Sequence, residues 1–385
     1  MKCNRCSNTD PRYFGVDGSR FYCRKCIAFG RLDNSDKPVS RAGRPRKLRV
    51  RPKLRFDLTP FQQKASDQAL HALQEGRDVF VYAAAGAGKT EMTLASICWY
   101  LQQGKKVGFA ISRRQVVLEI AKRMKEYFPD LQVISVCQGH ASQLDGDLIV
   151  CTMHQLYRYP DTFDLLIMDE VDAFPFAGNP VLKSITDHAC KGQKLMLSAT
   201  PDEESLKAIE QGSMEIVQLV RRPHGKPLCV PKIKKGGQMI NVLRLILTCL
   251  KFKKEKKQVL VFVPRKKDAA MFGKIFRPLF KCRGLHSSSR NKDEIMEEFY
   301  EKKCQILFCT TLLERGITVP SVQVLVYRAD HPVFTTASLI QIFGRVGRTF
   351  QDPEGTGICY CQSVSAAMKE CRRQLIQMNR SVSGA

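Results

Sequence analysis

Short apolar runs alternate with longer stretches in which apolar residues recur every three or four positions, and this alternation fills most of the chain beyond residue 56. Val79-Phe80-Val81-Tyr82 is the first such run, and others occupy 107–111, 133–136, 148–151, 165–168 and 195–197. Apolar runs this short, bounded by turn residues, read as buried strands, and the 3.6-residue period between them reads as helix. The alternation predicts an α/β fold built on a parallel sheet covered by helices. A second alternation opens after the basic stretch 251–257, with runs at 259–263 and 304–309. Two α/β domains are therefore expected, at 56–222 and 223–385. Leu58-Thr59-Pro60-Phe61-Gln62 predicts a helix start, with the helix running to Glu75 and stopping at Gly76.

The first run enters Ala83-Ala84-Ala85-Gly86-Ala87-Gly88-Lys89-Thr90, and a helical pattern over 91–103 leaves it. That is the strand–loop–helix context of a phosphate-binding loop. Gly86 and Gly88 let backbone N–H groups of Ala85, Gly86, Ala87 and Gly88 close round phosphate oxygens. Lys89 reaches the β- and γ-phosphates, and Thr90 holds Mg²⁺. The loop begins with Ala83 where the general pattern has Gly. Gln62, just ahead of the loop strand, carries both a donor and an acceptor for an adenine edge. Asp169-Glu170 stands at the end of the 165–168 run, where Asp169 can hold Mg²⁺ and Glu170 can orient or deprotonate water. Ser198-Ala199-Thr200 follows the next run. Far along the chain, Arg345 and Arg348 are spaced to face a γ-phosphate together, which is arginine-finger logic.

Charge adds the partner. The 385-residue chain carries a formal net charge of +25, and residues 1–55 hold 16 Lys/Arg against 4 Asp/Glu. Such an excess favours a polyanion through phosphate neutralisation, with nucleic acid the leading class. The basic stretch 31–55, with few large apolar residues, is expected to be a linker or arm. At 1–30, Cys3-x-x-Cys6 and Cys23-x-x-Cys26 have the spacing of a tetrahedral four-thiolate zinc site. Two disulfides, or unused thiols, are the alternatives. Tyr13, Phe14, Phe21 and Tyr22 supply only a small core, so the module needs its metal to fold. No apolar run has the length of a membrane span and the first residues are polar, so a cytoplasmic protein is expected.

Six motifs in order, Gln62, Lys89-Thr90, Asp169-Glu170, Ser198-Ala199-Thr200, Arg315-Gly316 and the segment from Gln341 to Arg348, resemble a superfamily-2 helicase. The resemblance implies two RecA-like lobes with ATP between them and a nucleic-acid strand across both. It implies ATP contact by Gly316 and coupling of hydrolysis to movement through Ser198, Thr200 and Gln341. A narrower likeness covers nearly the whole chain. Glu91 after the phosphate loop, Val116-Val117-Leu118-Glu119, Thr152-Met153-His154-Gln155-Leu156-Tyr157-Arg158, the Asp169 to Pro175 segment and the four-Cys module are similar to the ComFA family of competence DNA-uptake helicases. That family implies an ATP-driven translocase on single-stranded DNA, at the inner face of the cell membrane beside a DNA channel and other competence proteins. It leaves room for a homo-oligomer. Strand contacts are expected from Arg113, Arg114, Thr152, His154, Thr310, Thr311 and the zinc module. The fifth motif reads Arg315-Gly316-Ile317-Thr318 where the family often has Arg-Gly-x-Asp. An RNA helicase, a duplex-DNA helicase of repair or replication restart, and an ATP-gated clamp that does not move are the competing readings.

Overall fold

The structure is a computed structural model that describes residues 1–383 except 55, 85, 173, 199–202, 220, 314–318, 320 and 349–351. The chain forms two compact units, the first from residues 1–83 and 88–219 and the second from 84–87 and 220–385.

The first unit opens with a hairpin of β1 (Phe14–Asp17) and β2 (Arg20–Cys23). Seven parallel strands follow, namely β3 (Asp78–Ala83), β4 (Val107–Ile111), β5 (Val133–Val136), β6 (Leu148–Thr152), β7 (Phe163–Asp169), β8 (Cys190–Ser198) and β9 (Met214–Leu219). Their order across the sheet is β5-β6-β4-β7-β8-β3-β9. Helices α1 (Pro60–Gln74), α2 (Lys89–Met92), α3 (Leu94–Gln102), α4 (Arg114–Tyr127), α5 (Pro180–Ala189) and α6 (Glu203–Glu210) connect them. Every residue of β4 and β6 is buried, which is why these strands read as continuous apolar runs. The helix expected over 91–103 is two helices: the Thr93 hydroxyl donates to the Thr90 carbonyl at 2.8 Å, and the turn tightens there.

Residues 31–54 are not a free arm. Arg41 N–H donates to the Arg158 carbonyl, Leu48 N–H to Leu101 and Lys53 N–H to Tyr127, at 2.8–3.1 Å. The Gln102 amide donates to the Val50 carbonyl, Val50 itself is buried, and Arg46 pairs with Asp147 at 3.2 Å. A polar strap needs no core of its own when its backbone groups find partners along a folded neighbour.

The second unit is a six-stranded parallel sheet of β10 (Lys232–Lys235), β11 (Val259–Phe262), β12 (Cys282–Leu285), β13 (Ile306–Cys309), β14 (Gln323–Tyr327) and β15 (Gly357–Cys361). The order is β10-β15-β14-β11-β13-β12. Helices α7 (Gln238–Lys254), α8 (Lys266–Ile275), α9 (Lys292–Tyr300), α10 (Thr336–Phe343) and α11 (Ala366–Ser383) complete it. β10, Lys-Ile-Lys-Lys, has no apolar pattern; it is an edge strand, where lysines discourage pairing with another chain. No helix among the described residues is long and apolar enough to cross a membrane.

Candidate active site and metal centre

The sheet order of the first unit brings the triphosphate motifs to one edge. β3 pairs with β8 through Tyr82 and Ser198, and β8 pairs with β7 through Leu197 and Asp169. The end of β3, where the loop begins, and Asp169 at the end of β7 are thus two strand spacings apart, about 10 Å. Phosphates with their Mg²⁺ fit such a span, and the carboxyl ends of parallel strands are where α/β sheets bind ligands. Between the two, Ser198 is buried at the end of β8.

Gly88 is the N-cap of α2 with φ +83°, in the left-handed region, and a Cβ there would collide with the Gln62 side chain. Lys89 follows, half-buried, and Thr90 is only 6% exposed. Gly88→Ala is therefore expected to disorder the loop and weaken nucleotide binding at least tenfold, as about 1.4 kcal/mol of strain would do. Titration with a fluorescent ATP analogue checks this, and an unchanged Kd would refute it. Gly86 and Ala87 precede Gly88 as expected, while Ala85 lies outside the described residues.

Glu170 has φ +58°, rare for a residue with a side chain. Three hydrogen bonds hold it there. Its N–H donates to Asp169 Oδ1 at 2.8 Å and to the Leu197 carbonyl at 3.1 Å, and its own carbonyl accepts from Ser112 Oγ at 3.3 Å. Strain maintained by the surrounding structure is a frequent mark of a functional position. Gln62 is 5% exposed, and its Oε1 accepts from both the Thr59 N–H and the Thr59 hydroxyl at 3.0 Å, closing the capping box of α1. The carbonyl expected to read adenine thus serves the helix cap, and its amide faces Gly88.

In the second unit, α10 carries Gln341, which is buried, and runs into Arg345, also buried, and Arg348, half-exposed. Thr310 and Thr311 follow β13, half-exposed. Thr200, Arg315 and Gly316 lie outside the described residues. Two residues in no motif, Arg222 and His224, hydrogen-bond the turn after α10. Only the Arg-Arg-Pro-His cluster at 221–224 hinted at them.

The four N-terminal cysteines are buried, with sulfurs within 4.8 Å of one another. Cys3 and Cys26 are 3.7 Å apart, as are Cys6 and Cys23. A tetrahedron with metal–sulfur bonds of about 2.3 Å has edges of about 3.8 Å. A disulfide needs about 2.04 Å, so the pairing alternative fails on distance. Cys26 is held far above the usual thiol range by the sulfur of Cys3, so the four cannot ionise together without a cation among them. The cluster has the donor set and size of a structural zinc site. Its module is fastened to the first unit: Phe29 lies 5.5 Å from the Tyr157 ring, the Arg5 guanidinium sits over Tyr157, and His188 of α5 bonds the Arg5 carbonyl at 2.9 Å.

The DEAD/DEAH box helicase family matches residues 59–209, and the helicase conserved C-terminal domain matches 238–350. Competence protein ComFA of Bacillus subtilis strain 168 is 33% identical over 98% of this chain and 85% of its own length. That of Streptococcus pneumoniae strain R6 is 32% identical over 98% and 90%. The chain belongs to the ComFA family. Like the families it matches, this ComFA member is an ATP-dependent helicase, and the matched domains imply ATP with Mg²⁺. Among solved structures, S. cerevisiae Dbp5 bound to RNA and ADP BeF3 superposes with a TM-score of 0.63 at 18% identity, over 83% of this chain and 87% of that one. That likeness shows the two-domain RecA-type fold.

The strand-contact candidates of this ComFA chain are placed unevenly. Arg113 is the N-cap residue of α4, half-buried. Arg114 is exposed, and its Nε donates to the Gln138 carbonyl at 2.8 Å. Thr152 is buried at the end of β6. His154 stacks on Phe29 at 6.2 Å, and desolvation lowers its pKa, so at neutral pH it brings no charge to a phosphate.

Proposed function

We propose that this protein hydrolyses ATP to move along single-stranded DNA during uptake of transforming DNA in natural competence. The observation that carries this reading is the likeness to two ComFA proteins over 98% of the chain. Residues 56–222 and 223–385 are the two motor domains by their motifs, with Arg221 and Arg222 falling in the second compact unit; 1–30 is a zinc module and 31–55 its connection.

Lys89 and the loop N–H groups of residues 85–88 bind the phosphates, and Thr90 with Asp169 holds Mg²⁺. When bound, the ion neutralises charge on the phosphate oxygens. Glu170, locked by its three bonds, orients the attacking water, and Arg345 and Arg348 stabilise the charge that develops on the transferred group. Gln62 and Gly316 complete nucleotide contact, and Ser198, Thr200 and Gln341 couple turnover to movement. Arg113, Arg114, Thr152, His154, Thr310 and Thr311 line the strand path; the placement of Thr152 and His154 supports a role through backbone or loop shape more than through charge. The partners are single-stranded DNA, a membrane DNA channel and other competence proteins, met at the inner face of the membrane.

Steady-state ATP hydrolysis at one fixed low salt concentration, with no nucleic acid, single-stranded DNA, duplex DNA or RNA, tests this. Single-stranded DNA should stimulate most. Raising salt should raise the DNA concentration needed, with a log–log slope of about 0.7 per phosphate contacted. Equal stimulation by RNA would move the assignment to an RNA helicase, and none at all to a clamp.

A further inference from the structure

The helix α10 ends at Phe343, and the N–H groups of Gly344, Arg345 and Val346 donate to the carbonyls of Ile340, Ile342 and Phe343, which leaves the carbonyls of the turn itself to be satisfied from outside the helix. One guanidinium takes up three carbonyls of the turn that follows. Arg222 donates from Nη2 to the Gly344 carbonyl at 2.9 Å, and from Nη1 to those of Val346 and Gly347 at 2.7 Å each. Arg222 is 2% exposed. Burial, with the charge of Arg348 next, lowers its pKa to about 10, which leaves it protonated at neutral pH.

His224 completes the grip. Its Nδ1 accepts from the Lys226 N–H at 3.1 Å, so the ring proton is on Nε2, which donates to the Gly347 carbonyl at 2.9 Å. Gly347 has φ +64°, and a Cβ there would run into the Pro353 carbonyl, so the turn has one backbone path. Arg348 enters the same network: its Nε donates to the Gly344 carbonyl at 3.0 Å. One oxygen is thus shared by Arg222 and Arg348, and their like charges oppose collapse of Arg348 onto the clasp.

We propose that Arg222 is a positioning residue for ATP hydrolysis, acting through the Gly344 carbonyl to hold Arg348 at the angle that phosphoryl transfer requires. This rests on the proposed function above, in that it assigns Arg348 to the transferred phosphate. Arg222 follows β9 by three residues and lies in no helicase motif. Lysine cannot replace it: a single ammonium does not reproduce a planar fork spanning three carbonyls.

The test compares the full-length wild type with Arg222→Lys and Arg222→Gln, each assayed well below its own thermal midpoint. Displacement of Arg348 by about an ångström is expected to lower kcat of DNA-stimulated hydrolysis about 10- to 100-fold. Affinity for ADP–aluminium fluoride, which resembles the transition state, should fall in parallel, while affinity for ADP stays unchanged. The split must appear in at least one variant that keeps wild-type ADP affinity. Wild-type kcat in both variants, or equal loss of ADP and ADP–aluminium fluoride affinity in both, overturns the proposal. Wild-type turnover in the same assay separates the two failures: an inactive wild type refutes the motor reading, whereas active wild type with active variants refutes only the role of Arg222.

Discussion

Lys89→Ala is expected to reduce ATP turnover by about 10²- to 10³-fold, the usual cost of removing a group that stabilises transferring charge. Lys89 lies at the first position of α2, directly after the left-handed Gly88. DNA binding should survive, because the variant loses one of 62 basic side chains and the phosphate contacts are spread over many. Coupled-enzyme ATPase and fluorescence anisotropy on a labelled oligonucleotide measure the two properties. Unchanged turnover would remove the loop from the catalytic assignment, and loss of both activities would mean that the loop also supports the DNA surface.

Cys23→Ala is expected to take bound zinc from stoichiometric to background and to unfold the N-terminal module. A four-thiolate site contributes on the order of 10 kcal/mol to folding a small domain. The hairpin β1–β2 has four residues in each strand; in β1 only Gly15 is buried, with Phe14 half-buried and Val16 exposed, and in β2 only the ligand Cys23 is buried. Once the sulfurs part, Phe29 and Arg5 lose their fixed places against Tyr157, and His188 loses the Arg5 carbonyl. The parallel sheet of the first unit does not depend on the hairpin for any strand pairing, so basal ATPase should persist. Zinc analysis on the purified variant, with far-ultraviolet circular dichroism and basal turnover, decides the matter. Wild-type metal content would contradict the four-ligand site, and loss of basal turnover would show that the module props the nucleotide edge.

The elements legible in the sequence were those with a local signal. The apolar runs that became β3, β4, β6 and β7 are buried on both faces and stand out by hydrophobicity alone. Edge strands such as β10 left no such trace, because one neighbour and open solvent impose no apolar pattern. Gln62 shows the limit for single residues. Its place before the phosphate loop and at the helix start was readable, but that its carbonyl is taken up by the Thr59 capping box shows only once the side chains are placed. The strap at 31–54 shows a different limit: composition, which predicts a linker or arm, reports lack of a core and says nothing of backbone bonds to a neighbour.

By itself the sequence determined the chemistry available: a phosphate loop, paired carboxylates, two arginines in register and four thiols at knuckle spacing. Those are local patterns, set by which side chains the backbone presents within a few residues. Tertiary structure alone decided which of them meet. Strand order β7-β8-β3 sets Asp169 two strands from the loop, the sulfurs converge from chain segments 17 or more residues apart, and Arg222 reaches carbonyls more than 120 residues away. The physical reason is that burial is a property of the assembled sheet. An arginine in a basic cluster looks like any solvated charge until the fold encloses it and leaves three carbonyls for it to satisfy.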